Sequence, residues 1–252
     1  MTLLALITVA FFVLPLIGLL SKTSWSTLWS DLSSPEAVDA LKLSLGCSLA
    51  AAAAAVVFGL PLAWVLARTN LPGRALLRGL VLLPMVLPPV VGGVALLAAF
   101  SRASTIGSWL YDVASIQLTF SPAGVVVAES FVALPFFVIT MEAGLRSMDE
   151  RYEQVAATLG ASRWTVFRRV TLRLVAPSLI AGAVLAWARA LGEFGATITF
   201  AGNIAGRTRT LPLSVYLLLE SNQDAAIALS LVLLAVSLVV LVSLRDRWLT
   251  RL

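Results

Sequence analysis

The chain has 252 residues, of which 60% are hydrophobic and 12% charged, and its mean hydropathy of +0.97 excludes an ordinary water-soluble domain. It contains no histidine and one cysteine, Cys47, which excludes a histidine-based catalytic triad and an intrachain disulfide. The net charge of +5 comes from arginines in short segments between apolar runs, a pattern typical of membrane topology and not of nucleic-acid binding.

Six apolar runs are long enough to be transmembrane helices, because a hydrocarbon core of about 30 Å needs about 20 residues. They cover residues 3–20, 41–67, 80–100, 123–143, 174–200 and 225–244. The first run has no basic residue before it and no small-x-small cleavage site after Leu20, so it is predicted to be a span and not a signal peptide. The runs lack the alternation of barrel strands. The sequence therefore predicts an all-α integral membrane protein with about six spans and a single domain over residues 1–252.

The third run contains prolines and a double glycine that cannot form an unbroken helix. Backbone groups freed by Pro88 and Pro89 cannot stay unpaired in hydrocarbon, so the break must face other helices or a polar cavity. Pro88, Pro89 and Gly92 are therefore candidate lining residues of a translocation pathway. A kink required only for helix packing is the alternative.

Residues 144–173, between the fourth and fifth runs, are predicted to form two short helices. Apolar residues share one face of the first helix: Tyr152, Val155, Ala156 and Leu159. Acidic and amide residues share the opposite face of this helix: Asp149, Glu150, Glu153 and Gln154. Gly160 is a natural stop for this helix, and Ser162 can cap the next one. The small residues Ala156, Ala157 and Gly160 would allow another protein to approach closely, while a helix on the membrane surface is an equal alternative.

Three ionisable residues, Glu129, Arg189 and Glu193, fall in the predicted spans away from the span ends, where each would cost roughly 2.5–3.5 kcal/mol at a helix centre. Arg189 and Glu193 are four residues apart, so they are predicted to pair on one helix face. The functional alternative is that Arg189 attracts a passing anion while Glu193 orients it. A carboxylate repels anions, so Glu129 is predicted to be buried between helices with its polar atoms satisfied.

The basic residues divide unequally between the two sides of the predicted spans. Twelve arginines fall after the second span, after the fourth span and in the C-terminal tail: Arg68, Arg74, Arg78, Arg146, Arg151, Arg163, Arg168, Arg169, Arg173, Arg245, Arg247 and Arg251. Five basic residues fall on the other side: Lys22, Lys42, Arg102, Arg207 and Arg209. By the positive-inside rule the first set is cytoplasmic, which also places both termini in the cytoplasm.

The segment 153–162 reads Glu-Gln-Val-Ala-Ala-Thr-Leu-Gly-Ala-Ser. It resembles the cytoplasmic loop of the membrane subunits of type I ABC importers, which carries Glu-Ala-Ala, three residues and Gly. Gln154 and Val155 replace the Glu and first Ala of that motif. The resemblance implies that residues 144–173 are a cytoplasmic coupling-helix loop. The positions it assigns to ATPase coupling are Glu153, Gln154, Ala156, Ala157, Leu159, Gly160, Ala161 and Ser162.

Four further stretches resemble molybdate permeases in particular: 82–91, 106–112, 188–204 and 208–212. This resemblance implies the type I ABC importer permease fold and transport of molybdate across the cytoplasmic membrane of a prokaryote. It also implies the partners of such a system: a second copy of the chain, two cytoplasmic ATPase subunits, an extracytoplasmic molybdate-binding protein and membrane lipid.

The chain itself is predicted to be a non-catalytic transport subunit that binds no cofactor. Its only lysines are Lys22 and Lys42, and neither lies in a Gly-x4-Gly-Lys-Ser/Thr phosphate loop. ATP is therefore expected to be used by a separate subunit. A sulfate or tungstate permease is the nearest alternative. An ion-coupled secondary transporter, which would use Glu129 and Glu193, is a further one.

Overall fold

The computed structural model describes residues 1–248, and all regular structure in that range is helical. The helices in chain order are α1 (Thr2–Ser21), α2 (Leu28–Leu32), α3 (Pro35–Arg68), α4 (Arg74–Val86), α5 (Pro89–Phe100), α6 (Thr105–Ala114), α7 (Pro122–Ser147), α8 (Arg151–Thr158), α9 (Arg163–Val166), α10 (Leu172–Leu174), α11 (Ala176–Leu191), α12 (Gly195–Phe200), α13 (Leu211–Ser221) and α14 (Gln223–Trp248). A π-helical turn, Phe167–Thr171, joins α9 to α10. Arg251, one of the arginines of the predicted cytoplasmic tail, lies outside the described residues.

Four helices are long and apolar enough to cross a membrane: α1, α3, α7 and the Gln223–Val240 part of α14. Two further stretches are bent pairs of helices. One pair is α4 and α5, which meet at 117°, and the other is Arg163–Leu174 and α11, which meet at 70°. With each bent pair counted as one span the total is six, in agreement with the prediction.

The break predicted in the third span lies between α4 and α5. Leu87 adopts an extended conformation with ψ at 135°, as expected for a residue that precedes proline. Pro89 then occupies the first turn of α5, where a missing N–H costs nothing. The local proline chemistry thus explains both the end of one helix and the start of the next.

The fifth span differs from the prediction, which extended it from residue 174 to 200. The helix α11 ends at Leu191, and residues 195–200 form the separate helix α12. The chain is broken by Gly192 and Glu193. The carboxylate of Glu193 accepts the Ala196 N–H at 2.8 Å and so satisfies a free donor in the first turn of α12.

The core of the molecule is the packing of α3, α7 and α11. Alanines on α3, among them Ala51 and Ala55, are fully buried and allow close approach of the neighbouring helices. The ring of Phe137 on α7 lies between two glycines: a Cβ would be 2.6 Å from this ring at Gly59 and 3.2 Å from it at Gly182. By contrast, α1 has no buried residue.

At one end of this bundle α3 and α7 finish, while α4 and α11 begin. Arg146 Nη2 on α7 donates to the Leu66 carbonyl of α3 at 3.3 Å, and Arg78 of α4 pairs with Glu142 of α7. A Cβ at Gly144 would touch Ser178 near the start of α11. We call this the basic end. The predicted basic loops after the second and fourth spans therefore lie together.

Candidate functional site

The segment between α7 and α11 begins with the short helix α8, as predicted. Gly160 ends it with φ at +85°, a left-handed conformation that glycine adopts without strain. Ser162 Oγ then accepts the Thr165 N–H at 3.3 Å and caps α9. Both predicted boundaries are confirmed. The segment is shorter than the predicted loop, because α7 continues to Ser147.

The apolar side of α8 is exposed. Tyr152 is 59%, Val155 58% and Leu159 83% accessible, and Trp164 of α9 is exposed beside them. We call these four residues the apolar face. Contiguous exposed apolar side chains of this size mark a surface that is covered by another molecule. The neighbouring positions Gln154, Ala157, Gly160 and Ser162 are also exposed, while Ala156 and Ala161 are half-buried.

The opposite side of α8 is attached to the bundle through Glu153. Thr171 Oγ1, in the π-helical turn, donates to Glu153 Oε1 at 2.5 Å. Arg68 Nη2, in the last turn of α3, lies 3.7 Å from Glu153 Oε2, and the same guanidinium pairs with Glu150. Arg68 is only 10% exposed, so water screens this contact poorly. Glu153 therefore holds the segment in place and does not belong to its exposed surface.

Arg68 and Thr171, which attach α8 to the bundle, are contacts that sequence reasoning missed. Arg68 was recognisable only as one of several basic loop residues, and Thr171 as an ordinary polar residue before a span. Their partner, Glu153, lies 85 and 18 positions away along the chain, so no local pattern joins them.

The residues proposed to line a pathway lie where the two broken spans meet. A Cβ at Gly195 of α12 would be 2.8 Å from the Pro89 Cβ, and a Cβ at Gly93 of α5 would be 1.6 Å from Thr199 Oγ1. Glycine is thus required on both helices for this close approach. Gly92 is buried against the ring of Phe131, while Pro88 and Pro89 at the bend are exposed.

The predicted pair of Arg189 and Glu193 is present. Arg189 Nη1 lies 2.6 Å from Glu193 Oε2, although Glu193 follows the end of α11 and is not on the same helix. Because the second carboxylate oxygen accepts the Ala196 N–H, the 1% exposed Glu193 is satisfied on both sides. The Arg189 side chain remains 28% exposed, in contrast to that of Glu193.

Glu129 does not follow the prediction in full. Its side chain is buried in α7, as expected, but Oε2 has no hydrogen-bond partner among the described residues. The expectation that burial would leave both of its oxygens satisfied is therefore wrong for this atom.

Comparisons with known proteins identify the family of the chain. Residues 55–252 match the family described as the inner membrane component of binding-protein-dependent transport systems. The molybdenum transport system permease protein ModB of Mycobacterium tuberculosis is 47% identical over 245 residues, 96% of this chain and 92% of that protein. The sulfate transport system permease protein CysT of Escherichia coli is 40% identical over 226 residues, 89% of this chain and 81% of that protein.

The fold also matches a solved structure. A chain in the crystal structure of a bacterial alginate ABC transporter, in complex with an alginate pentasaccharide-bound periplasmic protein, superposes with a TM-score of 0.76. The match covers 96% of this chain and 91% of that one at 18% identity, so it bears on the fold alone. Together with the spans described above, these matches place the chain in the family of inner membrane components of binding-protein-dependent transport systems, the permease subunits of ABC importers.

Proposed function

We propose that this chain is the membrane-spanning subunit of an ATP-driven importer that carries molybdate across the cytoplasmic membrane of a prokaryote. The 47% identity to a molybdenum permease over nearly the whole chain supports the substrate. In the proposed complex two copies of the chain enclose the route, an extracytoplasmic binding protein delivers the anion, and two cytoplasmic ATPase subunits supply the energy. The basic end faces the cytoplasm, in accord with the positive-inside rule.

The observation that carries the proposal is the attachment of α8 to the bundle opposite its exposed apolar face. A partner that covers Tyr152, Val155 and Leu159 buries apolar surface and holds α8. Through Glu153 this helix is fixed to Arg68 at the end of α3 and to Thr171 before α11. Closure of the ATPase subunits would therefore move the ends of these spans together as a rigid body.

Uptake by the reconstituted complex, with the binding protein present, tests the substrate. Labelled molybdate is expected to accumulate in vesicles only when ATP is supplied, because the chain is proposed to take its energy from ATPase partners. Tungstate, an oxyanion of the same shape and charge, should compete about equally, and sulfate more weakly. The second candidate function is a sulfate permease, which the 40% identity to CysT supports. Equal or stronger competition by sulfate would favour it. Uptake driven by an ion gradient without ATP would favour the secondary transporter.

The anion route is proposed to pass the meeting point of α5 and α12, near the partly exposed Arg189. A doubly charged oxyanion needs polar groups along its way through hydrocarbon, and Arg189 has the appropriate charge. The route would be completed by the second copy of the chain, since a single set of bent spans does not enclose it.

Replacing Arg189 tests this role, provided that stability is controlled. Arg189→Gln leaves the buried Glu193 without its cation, which is expected to cost about 3–5 kcal/mol of folding free energy. The double variant Arg189→Gln with Glu193→Gln removes the unpaired charge and should recover most of the thermal stability. If Arg189 attracts the anion, the double variant transports molybdate on the order of tenfold more slowly than wild type. Normal uptake by this stable variant would show that the pair is only structural.

A further inference from the structure

A cavity of about 300 Å³ opens at the basic end between α3, α4 and α7, and none of its lining residues belongs to the apolar face or to the contact of α5 with α12. Its charged lining consists of Arg78, Glu142 and Arg146. Glu142 Oε1 pairs with both guanidiniums, at 2.8 Å from Arg146 Nη2. Two cations therefore share one carboxylate, and the cavity has a net positive charge.

Each of the two guanidiniums has N–H groups that the ion pairs with Glu142 do not use. The Arg78 side chain is 37% and the Arg146 side chain 44% exposed, while the carboxylate between them is only 10% exposed. Each guanidinium carries five N–H groups in a planar fork, which suits bidentate binding of phosphate oxygens. The shared carboxylate restrains both forks, and both arginines line the cavity.

The other walls of the cavity are apolar and include Val81, Leu82 and Ile139. The opposite face of α4 exposes Leu76, Leu80 and Leu83, so this helix has a second apolar surface outside the cavity. Arg78 lies one helical turn from the start of α4, and Arg146 is in the last turn of α7. The charged groups are thus at the level where the helices leave the hydrocarbon, with apolar surface on the membrane side of them.

We infer that this cavity binds the phosphate headgroup of an anionic phospholipid, held by Arg78 and Arg146 and oriented by Glu142. A basic pocket between spans, next to apolar walls, combines the two features by which proteins recognise such lipids. A soluble oxyanion would not use the apolar walls, and an apolar helix of a second copy would leave the net positive charge unpaired. The inference goes beyond the proposed transport function and holds whichever anion is carried.

Lipid retention measured by native mass spectrometry tests the inference. The purified permease–ATPase complex is delipidated and titrated with phosphatidylglycerol or with phosphatidylcholine of the same acyl chains. Wild type is expected to retain phosphatidylglycerol in preference to phosphatidylcholine. The double variant Arg78→Gln with Arg146→Gln should lower the apparent affinity for phosphatidylglycerol on the order of tenfold or more. Equal retention of the two lipids by wild type would overturn the inference.

A second variant covers the case in which loss of both arginines impairs folding, since Glu142 would then be buried without a cation. Ala143 lines the cavity but is exposed, so Ala143→Phe fills the space and leaves all three charges in place. Ala143→Phe should lower the apparent affinity for phosphatidylglycerol about as much as the double arginine variant does. The control is Arg173→Gln, which removes an exposed arginine at the basic end but outside the cavity. It should leave the retention of phosphatidylglycerol unchanged.

Two further experiments distinguish a bound lipid from other molecules that could fill the cavity. Millimolar inorganic phosphate is expected to leave the bound phosphatidylglycerol in place, and displacement would identify a soluble oxyanion as the ligand. Ala143→Cys is expected not to form a disulfide between the two copies in the complex. Efficient cross-linking would mean that the second copy covers the cavity, and the lipid inference would fail.

Discussion

Val155→Asp is expected to abolish co-purification of the ATPase subunits and to reduce ATP-driven uptake to background. Val155 lies in the middle of the apolar face and is 58% exposed in this chain, so the change should leave the fold of the chain intact. In the complex it would place an unpaired carboxylate in a desolvated interface, which we expect to weaken binding at least about 30-fold. Pull-down of the ATPase and uptake of labelled molybdate by vesicles measure the two effects.

The matched control is Val113→Asp on α6, which makes the same chemical change at a residue that is 67% exposed. The helix α6 is at the opposite end of the bundle, where α3 and α7 begin, so ATPase binding should be unaffected. If Val155→Asp retained the ATPase, α8 would instead be a helix on the membrane surface.

Arg68→Gln separates docking from coupling. The apolar face is untouched, so the ATPase should still bind, but Glu153 loses its ion pair with α3. Loss of a charged partner at a poorly hydrated site costs about 1–3 kcal/mol. We therefore expect uptake per ATP hydrolysed to fall on the order of tenfold. Arg68→Lys, which keeps the charge but lacks the planar fork, should give an uptake per ATP hydrolysed between those of wild type and Arg68→Gln.

The second large effect is expected for Gly93→Ala, a single added methyl group where α5 and α12 meet. The new Cβ would lie 1.6 Å from Thr199 Oγ1 and 2.8 Å from the Ala196 carbonyl oxygen. Thr199 could rotate only by giving up its hydrogen bond to the Gly195 carbonyl at 2.8 Å, and the Ala196 carbonyl cannot move without displacing α12. We expect a loss of about 2–3 kcal/mol of stability, seen as a decrease of about 5 °C or more in the apparent Tm, and a loss of uptake.

Gly79→Ala is the appropriate comparison. Gly79 is also in the helix of a broken span, but a Cβ there would meet nothing within 4 Å. Because alanine favours an exposed helix by about 1 kcal/mol over glycine, this variant should be as stable as wild type or slightly more so. Equal behaviour of the two variants would mean that α5 and α12 do not lie in close contact in the membrane.

Much of the fold follows from local sequence signals. The apolar runs predict the spans because their length is fixed by the thickness of the membrane, and Pro88 and Pro89 predict the bend because their ring geometry terminates a helix. Gly160 and Ser162 determine the boundaries of α8 and α9 by the same kind of local chemistry. These predictions needed no knowledge of which helices are neighbours.

The rest depends on contacts between residues far apart in the chain. Hydropathy alone did not separate α12 from α11, since the residues on both sides of Glu193 are equally apolar. The acidic side of α8 resembled an ordinary solvated face, and only the positions of Arg68 and Thr171 show that Glu153 is directed toward the bundle. Likewise, Gly93 is required by Thr199 and Ala196 of α12, and Gly195 by Pro89 and Val90 of α5, which sequence spacing cannot indicate.

The contact of α3 with α7 has a mechanical consequence. The α3 side of this contact is largely alanine and glycine, which have no rotamers to change, and the Phe137 ring of α7 lies between Gly59 of α3 and Gly182 of α11. Helices slip past one another when side chains at their contact readjust, and the larger side chains of this core, such as Met141 and Leu145, are fully buried and close-packed. A displacement applied to the end of α3 at Arg68 is therefore expected to move α3 and α7 together as one rigid unit.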